Sequence, residues 1–193
     1  DWTAPQPAGN VITVLEGIRA AVAKSSNVNY VPSGKILEIS GENIRQAAEA
    51  ARGADVAVVV VGGNDARYDS EGKWDRQRPE RTGGEGVDRD GLELVGGQLE
   101  LVQAVFETGT PTVVVLINGR PLAVEWIAKN IPAVIEAWQP GLVGGQAVAE
   151  VLFGDINPSG KLAVTIPRTV GQLPVYYNHP TSAEVDYKYS SWK

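Results

Sequence analysis

Hydrophobic residues recur along the chain with two spacings, and each spacing predicts one kind of secondary structure. Apolar positions three and four residues apart, as in Ile12, Leu15 and Ile18, indicate a helix with one buried face. Unbroken apolar runs, of which 56–61 is the clearest, indicate strands covered on both faces. The helical pattern is found over residues 11–23, 42–52, 98–107, 124–129 and 145–153. The strand pattern is found over residues 28–31, 56–61, 112–117, 133–137 and, as an edge strand, 162–166.

Strands that alternate with helices through short connections predict an α/β fold, namely an open, mostly parallel, doubly wound sheet with helices on both faces (an α/β sandwich). We expect this domain over residues 11–178, after a linker at 1–10 that contains prolines and a glycine. Residues 179–193 are expected to form a C-terminal extension. The segment 64–91 has no hydrophobic periodicity, and an unstructured stretch of that length inside a compact domain is uncommon unless it is functional or disordered.

The composition limits the chemistry that the chain can carry. Its 193 residues, 43% of them hydrophobic, suffice for one core, and the net charge of -6 offers no basic patch for nucleic acid. No cysteine is present and His179 is the single histidine, which argues against a disulfide framework and a zinc site. No apolar stretch reaches the ~20 residues of a membrane span. Since methionine is absent, we expect the chain to be a cut, processed or excerpted piece.

The loop 64–91 is the first place to look for a site, because ligands of open parallel sheets bind where strands end. Acidic and basic residues alternate along it, and a solvated surface excursion explains that composition equally well. Two features favour a function. Glu85 lies between glycines, whose backbone freedom would let its carboxylate reach into a neighbouring cavity. Tyr68 and Trp74 offer flat apolar faces of the kind that pack on sugar rings, although either could anchor the loop.

Other motifs carry weaker signals. The segment Gly62-Gly63-Asn64 lacks the spacing of a dinucleotide fingerprint, which argues against a nucleotide-binding or flavodoxin-like module. No serine stands in a nucleophile-elbow pattern after a strand, which argues against an α/β-hydrolase. The glycines that precede the last helix could bind an anion, but close helix packing explains them better: Gly141, Gly144 and Gly145. His179, next to a proline, is interpreted as a loop residue.

Several ordered motifs, spread over most of the chain, carry a family resemblance. They are the strand run 55–62, Asp88-Arg89 with Leu92-Glu93-Leu94 and Gly97-Gln98, the strand run 113–116 with Asn118-Gly119-Arg120-Pro121, and Ala137-Trp138-Gln139-Pro140-Gly141 with Gly144-Gly145. The most specific stretch is VLFGDINPSGKL at 151–162, followed by QLPVYYN at 172–178. On these motifs the chain resembles the C-terminal α/β sandwich domain of glycoside hydrolase family 3, the beta-glucosidase and beta-xylosidase family.

The resemblance implies a part in retaining glycoside hydrolysis. In that family an N-terminal barrel carries an aspartate nucleophile, and the sandwich domain often lends the general acid/base glutamate from a loop over the barrel. By its position upstream of Asp88-Arg89, Glu85 matches that glutamate best. Glu71 is the second choice, because this loop is longer than the common pattern. The residues expected to contact sugar are Asn64, Tyr68 and Trp74.

The resemblance also implies the partners of the chain. The substrate would be a beta-linked oligosaccharide or glycoside, and neither a cofactor, a metal, a nucleic acid nor a membrane is implied. A barrel needs ~250 residues, so the nucleophile lies outside this chain and the isolated chain is expected to be inactive. The family favours a periplasmic or secreted location, which the sequence itself leaves open. A non-catalytic carbohydrate-binding or scaffold domain is the alternative.

Overall fold

The computed structural model describes residues 6–24, 26–65, 81–83, 86 and 88–178. From residue 41 to residue 152 helices and strands alternate as predicted, whereas the first two helices follow one another without a described strand between them. In chain order they are α1 Val14–Ala21, α2 Gly41–Arg52, β1 Ala57–Gly62, α3 Gln98–Phe106, β2 Thr112–Ile117, α4 Glu125–Asn130, β3 Ala133–Glu136 and α5 Gly144–Leu152, with short 3-10 turns at Ala8–Asn10 and Val170–Gln172. None of these helices has both the length and the apolar character needed to cross a membrane.

The described strands form one parallel sheet in the order β1-β2-β3. Val59 pairs with Val114, and Val114 pairs with Val134, so residues at matching positions share a face of the sheet. The three apolar runs predicted these strands to within one residue at either end. An open parallel α/β sheet is therefore confirmed.

Two predicted strands are wrong. Within the described part of the chain, neither residues 28–31 nor residues 162–166 pair with the sheet. Tyr30 is 59% exposed, and Leu162 and Val164 are 58% and 46% exposed, so these apolar side chains have little packing. A short apolar alternation indicates a surface that could be half-buried, but a strand also needs a neighbour with free backbone groups, which local sequence cannot specify.

One face of the sheet carries the main core. Val59 and Val61 of β1, together with Val114 and Leu116 of β2, pack in one cluster with apolar residues of α2, α3 and α4. Fully buried side chains from the helices complete it: Val102 and Ile127. Since β1-α3-β2-α4-β3 runs through adjacent parallel strands, both crossover helices lie on this same face.

The opposite face lies towards α1 and α5, which pack against each other through glycine. A Cβ added at Gly17 would stand 2.5 Å from the carbonyl carbon of Gly145, so the two helices touch backbone to backbone. Between these helices and the sheet, Val60 and Ile117 help to line a cavity of about 420 Å³. Val115, which points to this face, is fully buried. Helices on both faces are thus confirmed, and helix packing explains Gly145 as expected.

The first two helices, α1 and α2, each begin at a side-chain cap. Thr13 caps α1, because its hydroxyl accepts from the Glu16 N–H while the Glu16 carboxylate accepts from the Thr13 N–H at 2.8 Å. Ser40 and Asn43 form the corresponding pair at α2. The first helix therefore begins later than the periodicity predicts, since the cap holds Thr13 in an extended conformation.

Candidate functional site

The site begins where β1 ends. Gly62 has φ 151°, and a Cβ there would lie 2.6 Å from the carbonyl carbon of Ile117, so this position requires glycine. The buried side chain of Gln98, at the start of α3, accepts from the Gly62 N–H at 2.8 Å and donates to the Gly62 carbonyl at 3.0 Å. The N–H and the carbonyl of Gly62 therefore have hydrogen-bond partners although no described strand pairs with this edge of β1. The chain leaves the sheet in a defined direction.

The outgoing and returning chains then meet in a closed neck, formed by Asn64-Asp65 on one side and Arg81-Thr82-Gly83 on the other. The Thr82 N–H donates to the Asn64 carbonyl at 2.8 Å, and the Asn64 N–H donates to the Thr82 hydroxyl at 2.9 Å. Thr82 is 4% exposed. The neck therefore ties the start of the acidic loop 64–91, called the excursion below, to a later part of the same loop at the carboxyl edge of the sheet. Asn64 and Thr82 meet there although they are 18 residues apart in sequence.

Asp65 is a buried carboxylate inside this neck, with 6% of the residue exposed. Its Oδ2 accepts a hydrogen bond from the Gln139 side-chain amide at 2.5 Å, while its Oδ1 is buried without a hydrogen-bond partner in the described structure. Two backbones close over the carboxylate. A Cβ at Gly83 would lie 2.6 Å from Oδ1, and one at Gly119 would lie 2.8 Å from the Gln139 amide and nearer still to Oδ2.

Arg89 holds the returning chain from outside the neck. Its guanidinium donates to the Glu93 carbonyl at 2.5 Å and makes a longer contact of 3.4 Å with the Thr82 carbonyl. Burial lowers the pKa of Arg89 from its ordinary value, and the neighbouring Arg120 lowers it further. Arg120 also lies against the returning chain, because a Cβ at Gly83 would be 3.5 Å from its Nε, so two guanidinium groups flank that chain.

The end of β3 contributes an unusual backbone. Trp138 has φ 51°, a conformation that costs a bulky residue free energy and is over-represented at functional sites. Two hydrogen bonds hold it: the Trp138 N–H donates to the Glu136 carboxylate at 3.1 Å, and the Asn118 N–H donates to the Trp138 carbonyl at 3.2 Å. Burial raises the pKa of Glu136, and hydrogen bonds from the Trp138 N–H and the Asn118 amide oppose that rise.

The structure brings together only part of the residue set that the sequence predicts. Asn64 lies in the neck, and its expected contact with sugar stays a prediction. The other predicted residues, Glu85, Glu71, Tyr68, Trp74 and His179, lie outside the described residues. Among the residues that are described, no group of three or more acidic or histidine side chains is arranged to hold a metal ion.

The residues of the site that were not recognised from the sequence as site residues include Asp65, Thr82, Gln98 and Gln139. A partial signal exists for Asp65 and Gln139, because both lie in segments that directly follow a buried strand. No comparable signal marks Thr82, whose role depends on pairing with a residue distant in sequence. The assembly is a hydrogen-bonded support that can position a loop or a ligand at the edge of the sheet.

Comparison with known proteins finds relatives along the whole chain. The family model described as glycosyl hydrolase family 3 C-terminal domain matches residues 1–191. A beta-xylosidase from Formosa agariphila is 43% identical over 166 residues, which are 86% of this chain and 21% of that protein. A periplasmic beta-glucosidase from Salmonella typhimurium is 36% identical and is matched over 98% of this chain and 26% of its own length.

Solved structures agree with the sequence relatives. The beta-glucosidase from Listeria innocua in complex with isofagomine superposes with a TM-score of 0.75 at 32% identity, over 93% of this chain and 23% of that one. A beta-glucosidase from Erythrobacter marinus superposes with a TM-score of 0.71 at 37% identity, over 86% and 24% of the respective chains. The chain thus spans about a fifth to a quarter of the length of these relatives.

Proposed function

Since the chain belongs to glycosyl hydrolase family 3, as its C-terminal domain, we propose that it forms the second domain of a retaining, exo-acting beta-glycosidase. Its relatives are named beta-xylosidase and beta-glucosidase, which supports a beta-linked glycoside or oligosaccharide as the substrate. Residues 11–178 are the proposed domain, and its partner is an N-terminal barrel in the rest of the protein that carries the nucleophile. The proposed task of this domain is to supply the general acid/base and part of the sugar subsite.

The closed neck carries the proposal. A retaining glycosidase needs two carboxyl groups ~5 to 5.5 Å apart, so an acid supplied by one domain must reach over the nucleophile of the other. In the loop 64–91, the neck ties the chain shortly before Glu85 to the carboxyl edge of the sheet, which offers a fixed starting point for such a reach. Glu85 follows Thr82 by three residues and is the proposed acid/base, with Glu71 as the second choice. Asn64, Tyr68 and Trp74 are the proposed sugar contacts.

The proposed chemistry has two steps. In the first, protonated Glu85 donates its proton to the departing glycosidic oxygen while the nucleophile of the barrel attacks the anomeric carbon. In the second, water attacks the anomeric carbon and breaks its bond to the nucleophile, while the Glu85 carboxylate accepts the proton of that water and so becomes the acid again. In this proposal one residue of the chain, Glu85, is both the proton donor of the first step and the proton acceptor of the second.

The test compares two substrates in the full-length enzyme. The dinitrophenolate of a 2,4-dinitrophenyl glycoside departs without protonation. The alcohol of an alkyl glycoside or a disaccharide is a poor leaving group and needs a proton from the acid. We expect Glu85→Gln to lower kcat/KM for the poor leaving group by roughly 10²–10⁴-fold and to affect the dinitrophenyl substrate much less. Glu107→Gln, an exposed change at the end of α3, is the matched control and should leave both values unchanged.

The same measurements decide between the catalytic role and its alternatives. A selective loss in Glu71→Gln instead of Glu85→Gln would move the acid/base to Glu71. If both variants stayed within a few fold of the parent on both substrates, the domain would be a non-catalytic carbohydrate-binding or scaffold domain. The isolated chain should hydrolyse no aryl glycoside, and turnover that disappears when one of its own carboxylates is changed would contradict the two-domain mechanism.

A further inference from the structure

We propose that Asp65 is a positioning residue for the acid/base step, acting through the neck and not by contact with substrate. The proposal rests on the proposed function, because it assumes that the excursion delivers the acid. Asp65 lies on the outgoing chain, and its carboxylate meets the returning chain at Gly83, two residues before Glu85.

The burial of this carboxylate is the first argument. An acid at the mouth of a loop is ordinarily solvated, yet Asp65 is 6% exposed and one of its oxygens is buried without a hydrogen-bond partner in the described structure. A buried polar atom left without a partner is unfavourable, and natural proteins keep such groups mainly at functional sites. If Asp65 served stability alone, an apolar residue of the same size would be the better choice.

The shape of the surroundings is the second argument. Gly83 and Gly119 both lack the Cβ atoms that would collide with the carboxylate, so two backbones close directly on it. The Gln139 amide donates to Oδ2 and comes from the segment after β3. Asp65, in the segment after β1, therefore contacts the segments after β2 and β3 as well as the returning chain, and fixes the position of the returning chain at Gly83.

This placement makes a specific kinetic prediction. A displacement of ~1 Å at a catalytic group can cost on the order of 10²-fold in rate, and only substrates that need protonation would register a displaced acid. In the full-length enzyme, Asp65→Ala should lower kcat/KM for a poor leaving group by roughly ten- to a hundred-fold. It should lower the value for the 2,4-dinitrophenyl glycoside by less than about three-fold, since that substrate needs no acid.

Further variants keep the test decisive if Asp65→Ala folds poorly. Gln139→Ala removes the hydrogen-bond donor to Asp65 from an exposed position. Gly119→Ala adds a Cβ that would collide with the Asp65 carboxylate, so it displaces that group without removing it. Both should reproduce the selective loss. Asp65→Asn keeps the shape and an oxygen that can accept from Gln139, so it should recover most of the activity. Asp55→Asn, an exposed acid at the opposite end of β1, is the matched control and should change neither value.

The outcomes separate this inference from the proposed function. A selective loss in the Asp65, Gln139 and Gly119 variants supports the positioning role, even where Glu85→Gln shows none and the acid is another carboxylate of the excursion. Equal losses on both substrates in these three variants, or no loss, would overturn the positioning role. Glu85→Gln would then still report independently on the acid/base assignment.

Discussion

The contact between α1 and α5 predicts that Gly17→Ala destabilises the domain, although alanine is the better helix former. Replacing glycine by alanine in a helix stabilises it by about 1 kcal/mol. The new Cβ would stand 2.5 Å from the Gly145 carbonyl carbon and 3.0 Å from the Gln146 nitrogen. Carbon atoms pack at ~3.5 to 4.0 Å, so the helices must separate by roughly 1 Å.

Main-chain atoms cannot rotate away as a side chain could, so the packing between α1 and α5 must loosen. Overpacking of this kind costs about 1–3 kcal/mol. A shift of that size would also break the 3.0 Å hydrogen bond from the Gly145 N–H to the Ile12 carbonyl, which costs about 1 kcal/mol more. Against the gain in helix propensity, we expect a net loss of about 1–3 kcal/mol in the free energy of unfolding.

Urea unfolding of the protein that contains this chain, followed by circular dichroism, measures the effect. Gly41→Ala is the matched control, because that glycine also lies in a helix but a Cβ there would have no atom within 4 Å. It should be neutral or slightly stabilising. If Gly17→Ala were as stable as Gly41→Ala, the close approach of the two helices would be refuted.

The remaining predictions concern the edge of the sheet. Gln98→Leu should lower the free energy of unfolding by about 2–4 kcal/mol, because it leaves the buried N–H and carbonyl of Gly62 without partners; an unchanged urea midpoint would contradict this cap. Burial raises the pKa of Glu136 in the folded state above its ordinary value of 4.5. The protonated side chain therefore contributes stability that is fully present below pH 4.5 and is lost as the pH rises through the raised pKa. Glu136→Gln should therefore be more stable than the parent at neutral pH, with a difference that shrinks as unfolding is measured at lower pH, and a difference that stays constant with pH would contradict the raised pKa.

Much of the fold could be predicted because it depends on local pattern. The runs that became β1 and β2 are apolar at nearly every position, as strands covered on both faces must be. Ser40 and Gly53 stand at the two ends of the second helix, where capping and termination place them. The two wrong strands have the same apolar character over a short length, but pairing depends on a partner that the local pattern does not contain.

The sequence by itself determined the α/β order, the family and the presence of an acidic excursion after the first buried strand, since periodicity and motif spacing are properties of the chain. Only the tertiary structure decided that Asn64 pairs with Thr82, that Asp65 is buried against Gln139, and that Gly17 meets Gly145. These contacts join residues distant in sequence, and they form because parallel strands bring their carboxyl ends to one edge and two helices pack closely. No local pattern records which distant residues will meet there.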